Sequence, residues 1–316
     1  MRAIGIREFG GRDKLERMEL PEPKVPPDAV KIRIRAAGVN PVDWKLREGR
    51  LEPAFPHFFP VVPGWDAAGV VEAIGPAVVE VATGDEVFAY CRKHFVGEGT
   101  YAEYVTVPVT YVARKPKRLS FEEAGAIPLA GLAAYQALFF GAGLTAGETV
   151  LVYGASGGVG GFAVQIAIAA GAEVIAVARE EHREYVLGLG AYEVIDYTER
   201  DVVEAVRELM PDGVDVVLDV VGGDTLARAV DAVRDEGRIV SIVQPPTDER
   251  FRARGIQPAY IFVRPDGEEL EELAELAESN QLVVHLHEVL PLEQAAGAQK
   301  LLEDGHVRGK VVLRVD

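Results

Sequence analysis

Apolar and polar residues alternate cleanly over 30–36, Val30-Lys31-Ile32-Arg33-Ile34-Arg35-Ala36, which predicts a strand with one wet face. Short apolar stretches at 69–75, 85–90 and 101–107, broken by glycine and proline, predict further strands of a compact barrel-like β domain. The texture changes near Ser120. Ser120-Phe121-Glu122-Glu123 has the form of a capping box, and helical spacing continues through 132–138. Near-continuous apolar runs then alternate with helical stretches. Strands are expected at 149–153, 173–178, 194–197, 214–221, 237–243 and 259–263, with a helix over 201–209. Buried strands alternating with helices predict a parallel sheet covered on both faces. After a turn at Pro265-Asp266-Gly267 come a helix over 268–280, a strand over 282–290, a helix over 292–303 and a last strand over 311–315. The expected class is α/β. A β domain spans 1–120, a doubly wound nucleotide-binding domain spans 121–264, and the tail 265–316 returns to the first domain.

The stretch that organises this pattern is Tyr153-Gly154-Ala155-Ser156-Gly157-Gly158-Val159-Gly160. It follows an apolar run and opens a helical one, and a second apolar run follows one helix length later. Strand, glycine turn and helix make a βαβ unit that holds a dinucleotide pyrophosphate on backbone amides. A cofactor with free ribose hydroxyls calls for Asp or Glu at the end of the second strand. Here that strand ends Ala178-Arg179. A guanidinium grips a phosphate with two hydrogen bonds, so a 2′-phosphate is expected and NADPH is the expected cofactor. Glu180 and Glu181 follow at once, and a carboxylate turned inward would admit NADH.

Composition narrows the partners. A net charge of −17 opposes nucleic acid and anionic membranes. No stretch is apolar for long enough to span a bilayer, and the first residues read as a strand rather than a signal peptide, so a cytoplasmic location is expected. The one cysteine, Cys91, excludes an intrachain disulfide and a cysteine zinc cluster. His285 and His287 alternate on one strand face without an evident third ligand.

Several ordered motifs resemble the medium-chain dehydrogenase/reductase superfamily, in its zinc-free quinone oxidoreductase and alkenal/enone reductase branch. They are Ala37-Gly38-Val39-Asn40-Pro41-Val42-Asp43, Pro63-Gly64-Trp65-Asp66-Ala67-Ala68-Gly69, Gly84-Asp85-Glu86-Val87, Tyr101-Ala102-Glu103-Tyr104, Ile127-Pro128-Leu129-Ala130-Gly131, the glycine turn, and Arg308-Gly309-Lys310-Val311-Val312-Leu313. The resemblance implies a GroES-like catalytic domain beside a Rossmann domain, and a homodimer. Zinc-dependent relatives place their first ligand near Asn40 and a histidine where Trp65 stands, so no metal is expected.

The resemblance also implies the chemistry. Without a Lewis acid, alcohol oxidation gives way to hydride transfer onto a quinone or an α,β-unsaturated carbonyl. Asn40 is expected to bond the substrate oxygen or the nicotinamide ribose. Lys45, on the same irregular turn, is expected to support the oxygen or the ribose. Asn40-Pro41-Val42-Asp43-Trp44-Lys45 resembles alkenal and enone reductases in particular. The expected cofactor contacts are Gly154, Ser156, Gly157, Gly158, Val159, Gly160, Ala178, Arg179, Tyr197, Val221, Gly222, Ile242, Val243, Phe262, Val263, Arg308 and Lys310. Two other readings stay open: a crystallin-like NADPH-binding protein with little catalysis, and an enoyl-thioester reductase.

Overall fold

The computed structural model describes residues 1–305 and 307–315. The chain forms two compact units. The first comprises Met1–Leu132, Arg264–Asn280 and Val284–Asp316; the second comprises Ala133–Val263 and Gln281–Val283. The capping-box helix Phe121–Gly125 thus belongs to the first unit.

The second unit carries a six-stranded parallel sheet. In space the strands run Glu193–Ile195, Glu173–Val177, Thr149–Tyr153, Val214–Asp219, Val233–Ser241, Gln257–Tyr260. Numbered by sequence this is 3-2-1-4-5-6, the doubly wound order whose switch point lies between strands 1 and 4. Continuous apolar strands fit this, because both faces are covered: Leu151, Ile175, Val217 and Ile239 are completely buried. The last strand is Gln257–Tyr260, earlier than the 259–263 stretch expected from its apolar run. Backbone pairing decides this: Gln257 to Tyr260 register with Arg238 to Ser241.

In the first unit a seven-stranded sheet is organised on Ala29–Val39. This long strand pairs antiparallel with Asp66–Ile74, Tyr104–Pro108 and the returning Lys310–Arg314. Val311 registers with Val39, which sets Lys310 beside the end of that strand. The inward faces pack Val30, Ile32, Ile34, Val87 and Leu313 into one core. The strand expected over 282–290 is Leu286–Pro291, parallel to Lys310–Arg314.

One helix of the first unit was not anticipated. Asn40 to Lys45, expected as an irregular turn, is the start of the helix Pro41–Arg47. The signal was present, since Asn at the N-cap, Pro at the first position and Asp at the third are all helix-start residues. Among the described residues, no helix is long and apolar enough to cross a membrane.

Candidate active site

The glycine turn closes the first strand of the second unit. Gly154 has φ +69°, a left-handed conformation that suits a residue without Cβ. Gly157 is the N-cap of the helix Gly158–Ala169, and its N–H donates to Gly154 O at 3.0 Å. A Cβ on Gly160 would run into the Gly154 carbonyl, so that glycine permits the helix to pack on the turn. A Cβ on Gly157 would meet only Gly154 O, at 3.4 Å. Neither packing nor dihedral angle explains Gly157. It stands beside Ser156, Gly158 and Val159, all half-buried, at a helix start whose first N–H groups have no intrahelical acceptor. Those residues fit a pyrophosphate approaching the backbone closely.

The ends of the second and third strands bring Arg179 and Tyr197 together. Arg179 Nε donates to Tyr197 OH at 2.9 Å, and its guanidinium lies 3.7 Å from Glu181. Ala178 is buried, its N–H donating to Ile195 O. The nearby carboxylates are engaged or exposed. Asp196 accepts from Thr198 N, Thr198 Oγ1 and Glu180 N at 2.8–2.9 Å, which holds it below the usual carboxylate range. Glu180 and Glu181 are exposed, and Glu180 lies 3.7 Å from Arg183.

Across the switch point, Val221 and Gly222 follow the fourth strand. A Cβ on Gly154 would lie 3.2 Å from Val221 Cγ2, and one on Gly222 would lie 2.9 Å from Val243 Cγ1. The turn, Val221, Gly222 and Val243 are therefore neighbours. Val221 and Val243 are exposed apolar side chains, as is Phe262 after the sixth strand. Ile242 and Val263 are half-buried. Two residues outside the expected set arrange this edge. Asp219 and Ser241 are completely buried at the ends of the fourth and fifth strands. The Asp219 carboxylate accepts from Val221 N, Gly222 N and Ser241 Oγ at 2.7–3.1 Å, and Ser241 Oγ accepts from Val243 N at 3.2 Å. Their signal in the sequence is a polar residue closing an otherwise apolar strand.

In the first unit the helix Pro41–Arg47 leaves the end of the long strand, and a closed polar network surrounds its start. Asn40 is 2% exposed and both ends of its amide are taken. Its Nδ2 donates to Asp66 Oδ2 at 2.8 Å, and its Oδ1 accepts from Lys310 Nζ. Lys310 also donates to Val39 O at 3.1 Å and lies 3.9 Å from Asp66. Asp66 accepts from Leu129 N, Asp43 accepts from Asn40 N, and Tyr101 OH donates to Asp43. Burial pushes Asp66 up to about 6, against the pull of Lys310, Asn40 and Leu129 N. Burial also pushes Asp43 up to about 7, aided by the charge of Asp66 and opposed by Asn40 N.

Lys310, expected among the cofactor contacts, is buried and donates to Val39 O and Asn40 Oδ1. Asn40, expected to bond the substrate oxygen or the nicotinamide ribose, has its amide engaged with Asp66 and Lys310. Arg308, on the same tail, donates from Nε to His285 Nε2 at 3.0 Å. Lys45 is different. It is half-buried, and its ammonium has no hydrogen-bond acceptor or ion-pair partner among the described residues. Its ammonium lies 5.7 Å from the Trp44 ring, and the Arg50 guanidinium sits 4.7 Å from the same ring. Burial first, and Arg50 second, lower the Lys45 pKa.

The donor set does not fit zinc. Asn40 is committed, Trp65 is buried against Phe55 and Tyr90, and Cys91 is buried with its thiol pushed up by desolvation. Among the described residues, no group of three or more His, Cys, Asp or Glu is placed to hold a metal ion.

A 3-2-1-4-5-6 parallel sheet with a glycine turn at its switch point defines a Rossmann-type dinucleotide fold. Two family profiles match the chain: "Alcohol dehydrogenase GroES-like domain" over 26–117 and "Zinc-binding dehydrogenase" over 189–313. The chain is 34% identical to the NADPH-dependent alkenal/one oxidoreductase of Arabidopsis thaliana, over 99% of this chain and 79% of that protein. It is 31% identical to the human quinone oxidoreductase, over 99% and 97% of the two chains. The solved structure of mycobacterial Rv1454c complexed with NADPH superposes with a TM-score of 0.88 at 30% identity, covering 100% of both chains. The chain belongs to the medium-chain dehydrogenase/reductase superfamily, in the branch of quinone oxidoreductases and alkenal/enone reductases.

Proposed function

We propose that the protein is an NADPH-dependent, zinc-independent oxidoreductase that reduces α,β-unsaturated carbonyls, with quinones as the related acceptor class. The observation that carries the substrate reading is Lys45, a half-buried amine without an acceptor of its own. A donor left uncommitted is available to the carbonyl oxygen of an enone, where negative charge develops as its β-carbon is reduced. Asn40, Asp66 and Lys310 act one step back, holding the start of the helix that carries Lys45.

The glycine turn would receive the pyrophosphate, and Arg179 with Tyr197 would receive the 2′-phosphate. Val221, Gly222 and Val243 would line the path from the turn. Bound, NADPH supplies the hydride. The NADPH named for the Arabidopsis relative and for the Rv1454c structure supports this cofactor. The unsuitable donor set around Asn40 and Trp65 supports a reaction without zinc. A homodimer is in keeping with the sixth strand, Gln257–Tyr260, which pairs on one side only within the sheet.

The test is NADPH consumption by the purified protein with methyl vinyl ketone and 1,4-benzoquinone offered separately. Faster turnover of the ketone supports the enone assignment. Faster turnover of the quinone moves the assignment to that class, and silence with both refutes it. Arg179→Gln should weaken NADPH about tenfold while leaving NADH unchanged, as loss of a charged hydrogen bond requires. Equal weakening of both would refute the phosphate role.

A further inference from the structure

The chain has nine lysines. Six of them, Lys14, Lys31, Lys93, Lys115, Lys300 and Lys310, are held by a carboxylate or a carbonyl oxygen. Lys24 and Lys117 are exposed, where a protonated ammonium is well solvated. Lys45 is the one lysine among the described residues that joins partial burial of its ammonium to the absence of any acceptor, with a second cation on the same indole. Each of those features disfavours the ammonium over the neutral amine. A neutral amine is a nucleophile, and an enone is an electrophile at its β-carbon. Thiols, the usual competitors, are out of play: Cys91 is completely buried and its Sγ points to Ala89 O.

We infer that Lys45 is a covalent modification site for the enone itself, so that substrate offered without cofactor alkylates the residue that otherwise supports its oxygen. The step balances without an oxidant or reductant. The Nζ lone pair forms a C–N bond to the β-carbon, and the π pair of the alkene moves toward the carbonyl oxygen. The proton released from nitrogen ends on the α-carbon through water. The protein gains the mass of one whole enone and loses nothing. The inference rests on the enone reading and deepens it, because it makes exposure to substrate in the absence of NADPH a route to self-inactivation.

The test incubates the full-length protein with methyl vinyl ketone without NADPH and maps adducts by peptide mass spectrometry. The expected result is labelling of Lys45 at least tenfold faster than of Lys24 and Lys117, with the preference lost in urea. Lys45→Arg should lose this label and keep the slow labels on Lys24 and Lys117, with unchanged tryptophan fluorescence showing that it is folded. Equal labelling of all three lysines in the folded protein would overturn the inference. Turnover of fresh enzyme with NADPH and the same ketone separates the two claims. Turnover with no preference for Lys45 overturns the inference alone, and no turnover overturns the functional reading and the inference with it.

Discussion

Replacing Lys310 with Met removes a buried cation from the first unit while keeping the length of its stem. Two consequences can be sized. Val39 O and Asn40 Oδ1 lose their donor, which costs about 1–3 kcal/mol for buried acceptors left unmet. Asp66 loses the charge 3.9 Å away that helps hold it down to about 6, so its folded value rises further. A carboxyl raised on folding contributes stability below its unfolded value near 3.9, and that contribution is lost as pH climbs through the folded value. In the native protein the loss stops growing near pH 6; in the variant it continues to higher pH. The added penalty is about 1.4 kcal/mol for each unit of that further rise and vanishes at pH 5, where both forms carry the proton. For a rise of about one unit the total is about 2–4 kcal/mol at pH 7, below the 3–5 expected if the carboxylate stayed charged and bare. Both tryptophans, Trp44 and Trp65, lie in the first unit, so urea unfolding followed by tryptophan fluorescence reports on the unit concerned. A variant as stable as the native protein at pH 7, or one whose deficit does not shrink toward pH 5, would refute the reasoning. The same variant should lose enone kcat while the KM for NADPH holds, because the helix bearing Lys45 starts on this network.

Asp43→Asn should gain on the native protein by roughly 2–4 kcal/mol between pH 4 and pH 8 in the same urea assay, since it removes a carboxyl pushed up to about 7. A pH-independent difference would show that Asp43 does not titrate there. Gly160→Ala should weaken NADPH at least tenfold in a fluorescence titration, because its Cβ would meet the Gly154 carbonyl and the helix must leave the turn. Asp219→Ala should destabilise the second unit by about 2–4 kcal/mol in thermal unfolding, since it strips Gly222 N and Val221 N of their acceptor in a buried setting. It should weaken NADPH as well; unchanged affinity would remove Asp219 from the site.

The alternation at 30–36, the apolar runs after residue 149 and the spacing of Gly154, Gly157 and Gly160 were enough to read both sheets and the glycine turn. These are local signals. The period of a strand and the tight turn at Gly154 are imposed on each residue by its own backbone and near neighbours. Arg179 and Tyr197 were read separately as cofactor contacts; their hydrogen bond follows because adjacent strands of a parallel sheet end side by side. The role of Lys310 was not. Its sequence neighbours mark only a terminal strand, and antiparallel registration with Val39 delivers its ammonium to Asn40 and Asp66. The same holds for Asp219 and Ser241, which become one hydrogen-bonded unit only because the fourth and fifth strands lie adjacent. Local pattern determined the elements and the residue types at hand. Only the tertiary structure decided which polar groups are used up inside and which, like Lys45, are left with no acceptor, because a side chain's partners are set by chain segments hundreds of residues away.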